Sequence, residues 1–392
     1  TCPTNQGIPD YMYYTSKGEF EKAAEVIKQT NPFPHTTGMI CDHLCQSKCT
    51  RINYDSPVLI REIKLTVAEN SYREFDSKKA KIHSDQPKKV SIIGAGPSGL
   101  SCGYFLALAG MKVVVYESKN KPGGMVSGAI PSFRLTNEAI DIDIKKIEET
   151  GVVIKYNYAI DKAKFAKLRS DNDSVYIGTG AQISRKLFIH GIEVKGVIDP
   201  LDFLFKVKKG ENTGIGHNVV IIGGGNTAMD AARTAYRCVG ENGKVTVVYR
   251  RTIKEMPADK GEIQVVIDEG IEVLELTAPV SIVSDNGKVI SILCRKMKLV
   301  EKDESGRAKP IEIADSDFEV FADTIIPAIG QELNIDFVDH DLLETQNGSY
   351  QTQLKNVFIG GDAMRGASTA INAIGDGRKA AQEIIDNANN GF

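Results

Sequence analysis

The pattern of hydrophobic and polar positions divides the chain into three regions. Up to about residue 70, apolar residues recur at helical spacing, as in SKGEFEKAAEVIKQT, and the segment NPFPHTTG interrupts the pattern. A polar, lysine-rich stretch, SYREFDSKKAKIHSDQPKK, follows and indicates a linker across the surface. From Val90 onward, apolar runs typical of buried strands alternate with helical patterns, which predicts a parallel sheet.

One supersecondary plan occurs twice in this last region. The run VSIIGAGPSGLSCGYFLALAGMKVVVYES predicts a strand, a glycine turn, a helix and a second strand. The run NVVIIGGGNTAMDAARTAYRCVGENGKVTVVYRR repeats that order further along the chain. Two copies of one unit, rather than a short repeat period, predict two nucleotide-binding domains.

Length and charge narrow the class of protein. A chain of 392 residues favours two or three domains, and 42% hydrophobic with 25% charged residues is ordinary for a soluble protein. The net charge of −3 provides no field that would attract nucleic acid or an anionic membrane. We find neither an apolar run of about 18 residues nor a secretory signal, so we expect no membrane association and a cytoplasmic protein.

The first glycine turn has the features of a dinucleotide site. Gly94, Gly96 and Gly99 form G-x-G-x-x-G directly after an apolar strand. The first glycine permits the tight turn, the second lets the backbone approach a pyrophosphate, and the third lets the helix pack closely. Glu117 ends the next strand, where a carboxylate can accept hydrogen bonds from a ribose hydroxyl pair. This turn therefore predicts an adenosine with a free 2′-hydroxyl.

The second glycine turn differs at the end of its second strand. Gly223, Gly225 and Ala228 form G-x-G-x-x-A, but the following strand ends in Arg250 and Arg251 instead of an acid. Two guanidinium groups suit a 2′-phosphate, which a carboxylate would repel, so this copy predicts NADP(H). The alternative is that both arginines are ordinary surface charges.

A third glycine pair lies near the C-terminus. The run NVFIGGDAMRGASTAINAIGDGRKAA predicts a strand, then Gly360, Gly361 and Asp362, then a helix. Such a strand end can offer a carboxylate and helix N-terminal amides to a polyol or pyrophosphate. Taken alone, this segment has no assigned role.

The cysteines are unevenly distributed. There are seven, an odd number that does not fit a secreted disulfide framework: Cys2, Cys41, Cys45, Cys49, Cys102, Cys238 and Cys294. The last three stand singly in apolar surroundings and are most simply small core residues.

Three cysteines in ICDHLCQSKCT follow one another at four-residue spacing. In a helix each residue turns about 100°, so a four-residue step drifts only about 40° and all three sulfurs would share one face. That arrangement suits a soft metal or a cluster better than a disulfide. Iron–sulfur and structural zinc both remain open at this point, because each accepts four thiolates.

Taken together, these motifs show that the chain resembles the small (beta) subunit of bacterial glutamate synthase. The wider family includes the N-terminal part of dihydropyrimidine dehydrogenase and the large subunit of NADH-dependent ferredoxin:NADP oxidoreductase. The resemblance covers essentially the whole chain and rests on the order of CP, NPFP, the cysteine series, GAGPSGL, KPGGMVSGAIPSFRL, GGGNTAMD, YRRTIKEMPA, AIGQ and GGDAMRGASTAINAIGDGR.

The resemblance implies an α/β fold of two interleaved Rossmann-like domains, as in flavin disulfide reductases, preceded by a helical iron–sulfur domain. The implied segments are a helical iron–sulfur domain at 1–70, a linker at 71–88, the FAD-binding domain at 89–199 and 329–392, and an inserted NADPH-binding domain at 200–328. The redox Cys-x-x-Cys of the disulfide reductases is absent from the sequence, so the cysteine-rich N-terminus is the expected electron exit.

The same resemblance implies the cofactor residues. FAD would bind at Gly94, Gly96, Pro97, Ser98, Gly99, Glu117, Gly124, Gly361 and Asp362. NADPH would bind at Gly223, Gly225, Asn226, Thr227, Arg250 and Arg251.

The cluster region departs from the family pattern. The family builds two [4Fe–4S] clusters, and a second one here would need ligands from upstream of Thr1. The family also uses a Glu or Gln as one ligand, a position that falls on Lys64, with Glu62 two residues away. The simplest expectation is one [4Fe–4S] cluster on four thiolates, those of Cys2, Cys41, Cys45 and Cys49.

These features predict an NADPH-dependent FAD and iron–sulfur oxidoreductase that passes electrons to a partner. The partner would be a large subunit, a ferredoxin, a hydrogenase or a dehydrogenase in a hetero-oligomer, without nucleic acid or membrane. No catalytic acid or base is expected, because the cofactors perform the chemistry. Two alternatives stay open: partner-driven reduction of NADP+, and a non-catalytic assembly subunit.

Overall fold

The structure is a computed structural model that describes residues 2–71, 87–302, 306–346 and 348–389. The chain forms two units, one of residues 1–182 and 333–392 and the other of residues 183–332. The second unit is thus an insertion into the first, as the sequence predicted for the nucleotide-binding domain. Most of the predicted linker, residues 72–86, lies outside the described residues.

The N-terminal part of the first unit is helical, as expected. Its α-helices are α1 (Ile8–Ser16), α2 (Phe20–Lys28), α3 (Pro34–Ile40) and α4 (Ile60–Asn70). Tyr11, Ala24, Ile27 and Val67 pack in a small core of their own. Phe33 and the end of α3 instead belong to the core of the neighbouring sheet. The helical part and the flavin domain therefore form one compact unit rather than two, a division that the sequence did not predict.

A five-stranded parallel sheet forms the centre of the first unit. Its order is β14–β4–β1–β2–β3, with β1 (Lys89–Ile93), β2 (Lys112–Tyr116), β3 (Val153–Lys155), β4 (Ser174–Ile177) and β14 (Val357–Ile359). The helices of this part are α5 (Pro97–Leu108), α6 (Gly124–Gly128), α7 (Asn137–Glu148), α8 (Lys162–Asp171), α12 (Asp362–Arg365) and α13 (Ala370–Asn389). β1, α5 and β2 are the predicted strand–turn–helix–strand of the first glycine motif.

A four-stranded parallel sheet organises the second unit. Its order is β12–β6–β7–β8, with β6 (Asn218–Ile222), β7 (Lys244–Val248), β8 (Glu272–Leu274) and β12 (Thr324–Pro327). The accompanying helices are α9 (Pro200–Lys209), α10 (Asn226–Cys238) and α11 (Lys260–Asp268). β6, α10 and β7 reproduce the order of the first glycine motif, so both predicted copies exist.

An antiparallel sheet in the second unit is absent from the sequence-based prediction. It consists of β9 (Thr277–Asp285), β10 (Lys288–Lys302) and β11 (Ala308–Phe321), with β10 in the middle. Asn286 and Gly287 join β9 to β10, and both have positive φ, as in the type I′ turns of tight hairpins. This asparagine–glycine pair is the feature of the sequence from which the hairpin could have been predicted.

The boundaries of the insertion differ from the predicted 200 and 328. The insertion runs from 183 to 332 because β5 (Ile183–Ser184) pairs with β13 (Gln331–Glu332). Between β5 and α9, residues His190, Lys195 and Val197 form bridges to strands of the second unit. The segment before residue 200 is therefore part of the inserted unit.

Two expectations about cysteines are wrong. The series from Cys41 to Cys49 is not an α-helix, because α3 ends before Cys41, His43 adopts a left-handed conformation, and only a short 3₁₀ turn, Gln46–Lys48, follows. Cys238 is exposed at the end of α10, whereas Cys102 and Cys294 are buried as predicted. Within the described residues, no helix combines the length and apolarity needed to cross a bilayer.

Candidate functional site

The glycine turn after β1 is shaped for a ligand that lies on its backbone. Gly94 has φ of +102°, and a Cβ there would lie 2.5 Å from the carbonyl oxygen of Gly178, so only glycine fits. A Cβ on Gly99 would overlap the carbonyl oxygen of Gly94, which explains the close approach of α5. A Cβ on Gly96, by contrast, would meet nothing within 4 Å. Gly96 therefore borders open space, as an approaching pyrophosphate requires.

Glu117 is fixed beside this turn. It is only 6% exposed, and its carboxylate accepts hydrogen bonds from the amides of Ala95 at 2.9 Å and Lys119 at 2.9 Å. The carboxylate thus stays at the rim of the glycine turn with lone pairs left for further donors. Thr179, adjacent to Gly178, has a buried hydroxyl without a hydrogen-bond partner among the described residues.

The remaining predicted FAD residues converge on the same place. A Cβ on Gly124 would lie 3.1 Å from the Cα of Gly96 and 3.9 Å from the Cδ of Pro97. A Cβ on Gly361 would lie 2.7 Å from the Cβ of Ser98. Segments far apart in the sequence thus meet at the first glycine turn, where they would border the pyrophosphate of FAD.

Asp362 follows Gly361 at the start of α12. Its carboxylate accepts a hydrogen bond from the amide of Ser368 at 3.1 Å. Burial raises the pKa of Asp362 to about 6, which the Ser368 hydrogen bond opposes. At pH 7 this side chain is therefore an anion and can accept hydrogen bonds from a polyol.

Asp376 is a residue of this region that the sequence analysis did not single out. It lies on α13, is 2% exposed, and accepts hydrogen bonds from the amide of Gly361 at 3.2 Å and the hydroxyl of Tyr350 at 3.0 Å. The guanidinium of Arg365 donates to the same carboxylate, at 2.7 Å from Nε. Asp376 thus holds the Gly361 loop in position. The GDGR motif is the feature of the sequence from which this residue could have been identified.

The second unit repeats the open glycine turn. Gly223 has positive φ, and a Cβ on it would overlap the carbonyl oxygen of Ala328, whereas a Cβ on Gly225 would meet nothing within 4 Å. The side-chain oxygen of Asn226 accepts a hydrogen bond from the amide of Asp259 at 2.8 Å, which connects this turn to the start of α11.

Two neighbouring side chains complete this turn. Thr227 accepts a hydrogen bond from the side-chain amide of Gln331 at 3.2 Å. Asn226 and Thr227 therefore shape the turn as well as bordering the space beside Gly225. This backbone fits a second pyrophosphate in the same way as the first turn.

The two arginines after β7 occupy different environments. Arg250 is exposed, whereas Arg251 is 4% exposed and donates a hydrogen bond from Nε to the carbonyl oxygen of Ala308 at 2.8 Å. The sequence treated them as an equivalent pair. Arg250 can reach a ligand at the surface, while Arg251 joins the end of β7 to β11.

Three of the four predicted cluster cysteines lie together. Cys45 packs against the same small core as Tyr11. Burial raises the pKa of the Tyr11 hydroxyl, and the charges of Cys45, Cys2 and Cys41 raise it further. Burial likewise raises the pKa of the Cys45 thiol, with Cys41 as the next cause. We call Cys2, Cys41 and Cys45 the thiol trio. All three cysteines are free of disulfides.

Cys49 has a different environment. Backbone hydrogen bonds from Val58 and Arg51 lower the pKa of its thiol. Cys49 therefore differs in environment from the thiol trio, and its role as a fourth thiolate stays a prediction.

The thiol trio lies where two cores meet. Cys2 and Cys41 pack against the core of the five-stranded sheet, and Cys45 packs against the core of the N-terminal helices. Within the described residues, no three His, Cys, Asp or Glu side chains are placed to hold a metal ion. A [4Fe–4S] cluster takes one thiolate per iron, so a cluster held by the trio would have three of its ligands there.

The structure anchors this trio to the flavin domain. At the start of α3, which ends at Cys41, the amides of His35 and Thr36 donate to the carboxylate of Asp143 on α7, at 3.2 and 2.7 Å. Beyond Cys2, the carbonyl oxygen of Thr4 accepts a hydrogen bond from Arg378 on α13 at 2.8 Å.

The neighbouring glycines of α13 allow closer contacts still. A Cβ on Gly375 would lie 2.8 Å from the carbonyl oxygen of Pro3, and one on Gly377 would overlap the carbonyl oxygen of Ser98. Neighbouring residues of α13 therefore contact two different parts of the chain. Gly375 and Arg378 contact the segment next to Cys2, and Gly377 contacts the helix that follows the first glycine turn.

The chain contains two glycine-turn βαβ motifs. One has a carboxylate after its second strand, and the other has arginines there. This combination defines a flavin-dependent pyridine-nucleotide oxidoreductase. Residues 88–377 match the family described as pyridine nucleotide-disulphide oxidoreductase, and residues 1–75 match dihydropyrimidine dehydrogenase domain II, 4Fe-4S cluster. The chain belongs to the pyridine nucleotide-disulphide oxidoreductase family. The predicted fold class, the oxidoreductase class and the cofactors FAD, NADPH and [4Fe–4S] are confirmed at this level. The iron–sulfur match favours iron over zinc.

Relatives of known name match nearly the whole chain. The glutamate synthase [NADPH] small chain of Escherichia coli is 31% identical, and the match covers 98% of this chain and 87% of that protein. The NADPH-Fe(3+) oxidoreductase subunit beta of Geobacter sulfurreducens is 33% identical, over 98% of this chain and 62% of that protein. The protein YgfK of Escherichia coli O157:H7 is 35% identical, over 99% of this chain and 38% of that protein. The chain thus spans less than two thirds of the length of the YgfK and Geobacter relatives, 38% and 62%.

A solved structure shares the fold at lower identity. FprA from Mycobacterium tuberculosis in complex with NADPH has a TM-score of 0.68 and 20% identity, over 78% of this chain and 85% of that chain. This likeness supports the two-domain fold and carries no residue assignments.

Proposed function

We propose that this chain is an electron-transfer module that connects NADP(H) to an iron–sulfur cluster through FAD. When bound, these groups supply hydride transfer and one-electron carriage, and the protein supplies binding and orientation. FAD would bind on the convergent turns of Gly96, Gly124 and Gly361. NADPH would bind on the turn at Gly225, with its 2′-phosphate at Arg250, and the thiol trio would hold the cluster.

The observation that carries this proposal is the role of α13. Asp376 holds the Gly361 loop, Gly377 packs on the first glycine turn, and Gly375 and Arg378 pack on Pro3 and Thr4 next to Cys2. A single helix thus fixes the predicted flavin site relative to the predicted cluster site. An electron exit through the N-terminal cysteines requires such a fixed relation.

Relatives support a partner and both directions of flow. The Geobacter relative is named an NADPH-Fe(3+) oxidoreductase subunit, whereas one from Moorella thermoacetica is named an NADP(+)-dependent formate dehydrogenase subunit. We propose a partner redox subunit or domain that exchanges electrons with the cluster, and NADPH oxidation as the principal direction. The intact glycine turns, Glu117 and Arg250 argue against a non-catalytic assembly role.

The decisive experiment separates hydride transfer from electron exit. Cys45→Ser should lose iron and sulfide and fail to reduce a ferredoxin, because it removes one thiolate of the trio. NADPH should still bleach its flavin absorbance, and ferricyanide, which accepts electrons from flavin directly, should still be reduced. Cys238→Ser, which replaces an exposed cysteine of the second unit, is the matched control and should behave as wild type.

Two results would contradict the proposal. A Cys45→Ser protein with full iron content and unchanged ferredoxin reduction would show that the trio is not the exit. Anaerobically purified wild-type protein that contains zinc instead of iron would reject the cluster itself. Cys49→Ser in the same chain should retain the iron of the trio, which tests the proposed set of three ligands.

A further inference from the structure

Tyr176 packs against two of the turns that follow the strands of the five-stranded sheet. It lies on β4, the strand between β1 and β14, and its side chain is fully buried. A Cβ on Gly178, which follows β4, would lie 3.1 Å from Cε1 of the tyrosine ring. A Cβ on Gly360, which follows β14, would overlap the tyrosine hydroxyl oxygen. Both turns therefore rest directly on this side chain.

The Tyr176 hydroxyl also reaches the helix that follows the first glycine turn. Its oxygen lies 2.6 Å from Oγ of Ser98, in the first turn of α5. Among the residues that the structure describes, neither hydroxyl has another hydrogen-bond partner. A Cβ on Gly361 would lie 2.8 Å from the same Oγ. Ser98 therefore stands between the first glycine turn and the Gly361 loop.

The direction of the hydrogen bond between the two hydroxyls follows from burial. Each hydroxyl has one proton to donate. Burial raises the pKa of Tyr176, so its proton stays in place at pH 7. If Ser98 donated, the tyrosine proton would have no acceptor, and a buried donor without a partner is costly. Tyr176 is therefore the donor, and the proton of Ser98 remains available for another acceptor.

The surroundings of Ser98 favour an anion as that acceptor. Ser98 follows Gly96 by two residues, and Gly96 borders open space at the N-terminus of α5. The N-terminus of a helix has a positive potential and unpaired amides, which together bind phosphate groups. A serine hydroxyl with an unused proton adds one more donor at the same place.

We propose that Tyr176 is a positioning residue for FAD, whose hydroxyl donates to Ser98 and thereby keeps the serine proton free for the pyrophosphate. This inference rests on the proposed function, because it takes the first glycine turn to be the flavin site. The ring of Tyr176 supports the turns at Gly178 and Gly360, whereas its hydroxyl acts only through Ser98.

Removal of the tyrosine hydroxyl should weaken FAD binding while the core stays filled. Tyr176→Phe keeps the aromatic ring but leaves Ser98 without its donor. The serine hydroxyl is then free to rotate and donate to a backbone carbonyl of the preceding turn, as serines near helices commonly do. We expect the dissociation constant for FAD to rise about tenfold, which corresponds to about 1.4 kcal/mol.

The test is a double-mutant cycle on the full chain, in which flavin-free protein is titrated with FAD and flavin fluorescence is followed. Ser98→Ala should raise the dissociation constant at least tenfold, because it removes the donor itself. Tyr176→Phe combined with Ser98→Ala should bind FAD as tightly as Ser98→Ala alone, since the tyrosine hydroxyl acts through the serine. Tyr104→Phe removes a hydroxyl from a buried tyrosine of the same core and is the matched control, with wild-type affinity expected.

A second probe separates the pyrophosphate from the flavin. ADP carries the adenosine and pyrophosphate of FAD without the flavin, so its competition with FAD should weaken by the same factor in Tyr176→Phe. Denaturant unfolding of the flavin-free protein measures a packing role, and Tyr176→Phe should unfold at the same denaturant concentration as Tyr104→Phe.

The outcomes separate this inference from the proposed function. Losses of affinity that multiply in the double variant would overturn the inference, as would unchanged competition by ADP. Failure of Tyr176→Phe to fold would mean that its hydroxyl has a structural role, and full FAD affinity in Ser98→Ala would overturn the inference independently. A wild-type protein that binds no FAD would reject the proposed function itself.

Discussion

The two glycine-turn motifs, β1–α5–β2 and β6–α10–β7, share a backbone plan and differ at two positions that matter for binding. In both, the first glycine has positive φ, and the second faces open space. The third position is Gly99 in the first motif, where a Cβ would overlap Gly94, but Ala228 in the second, where the methyl group is fully buried. After the second strand, Glu117 stands in one motif and Arg250 in the other.

This difference indicates which part of each proposed site would set which property. The backbone turn, which is the same in both units, would receive the pyrophosphate. The side chain after the second strand would select the ribose, because a carboxylate accepts hydroxyl donors and a guanidinium binds a phosphate. The third position sets only how closely the helix approaches the turn.

The largest expected effect is the loss of one cofactor without the other. Gly96→Val should fold but purify without FAD, because its side chain occupies open space that the pyrophosphate needs. Gly225→Val should keep its FAD and lose reduction by NADPH, while dithionite still bleaches the flavin. Visible absorbance and flavin release on denaturation measure both. Stoichiometric FAD in Gly96→Val would mean that this turn is not the flavin site.

A smaller effect should distinguish the third positions. Gly99→Ala places a methyl group on the Gly94 carbonyl, so we expect a loss near the upper end of the about 1–3 kcal/mol typical of overpacking. Ala228→Gly should cost only about 1 kcal/mol, the usual difference between these residues in a helix. Denaturant unfolding of each variant gives both values. Equal losses would show that the two turns are packed alike.

The last prediction concerns the two arginines. Arg250→Ala should raise the KM for NADPH, relative to that for NADH, tenfold to a hundredfold, which corresponds to a charge-assisted contact of about 1.5–3 kcal/mol. Arg251→Ala is the matched control and should mainly lower stability, by about 1 kcal/mol, because the carbonyl of Ala308 loses its donor. Steady-state kinetics with NADPH and with NADH measures the ratio of the two KM values in each variant. A larger change of the ratio in Arg251→Ala would reverse the assignment.

Local patterns in the sequence were sufficient for the parallel sheets and the glycine turns. Each βαβ copy is specified by a contiguous run, and its turn needs glycine for steric reasons at Gly94 and Gly223. The hairpin at Asn286–Gly287 was also local, and its turn residues were present in the sequence but unused.

Non-local contacts explain what the sequence did not reveal. The boundary at 183 depends on β5, a strand of two residues whose partner β13 is far along the chain. The grouping of Cys2 with Cys41 and Cys45 depends on α13 and α4, which regular spacing cannot encode. The spacing of Cys49 suggested one helix face, but its backbone is extended and α3 ends before the cysteine series begins.

The contact of Arg378 with Thr4 has a consequence for biosynthesis. These residues are 374 positions apart, so at ~5–20 residues per second the ribosome needs roughly 20–75 s between them. During that interval the segment that carries Cys2 lacks the helix on which it rests. If the thiol trio holds the proposed cluster, insertion of iron and sulfide would therefore follow the synthesis of α13.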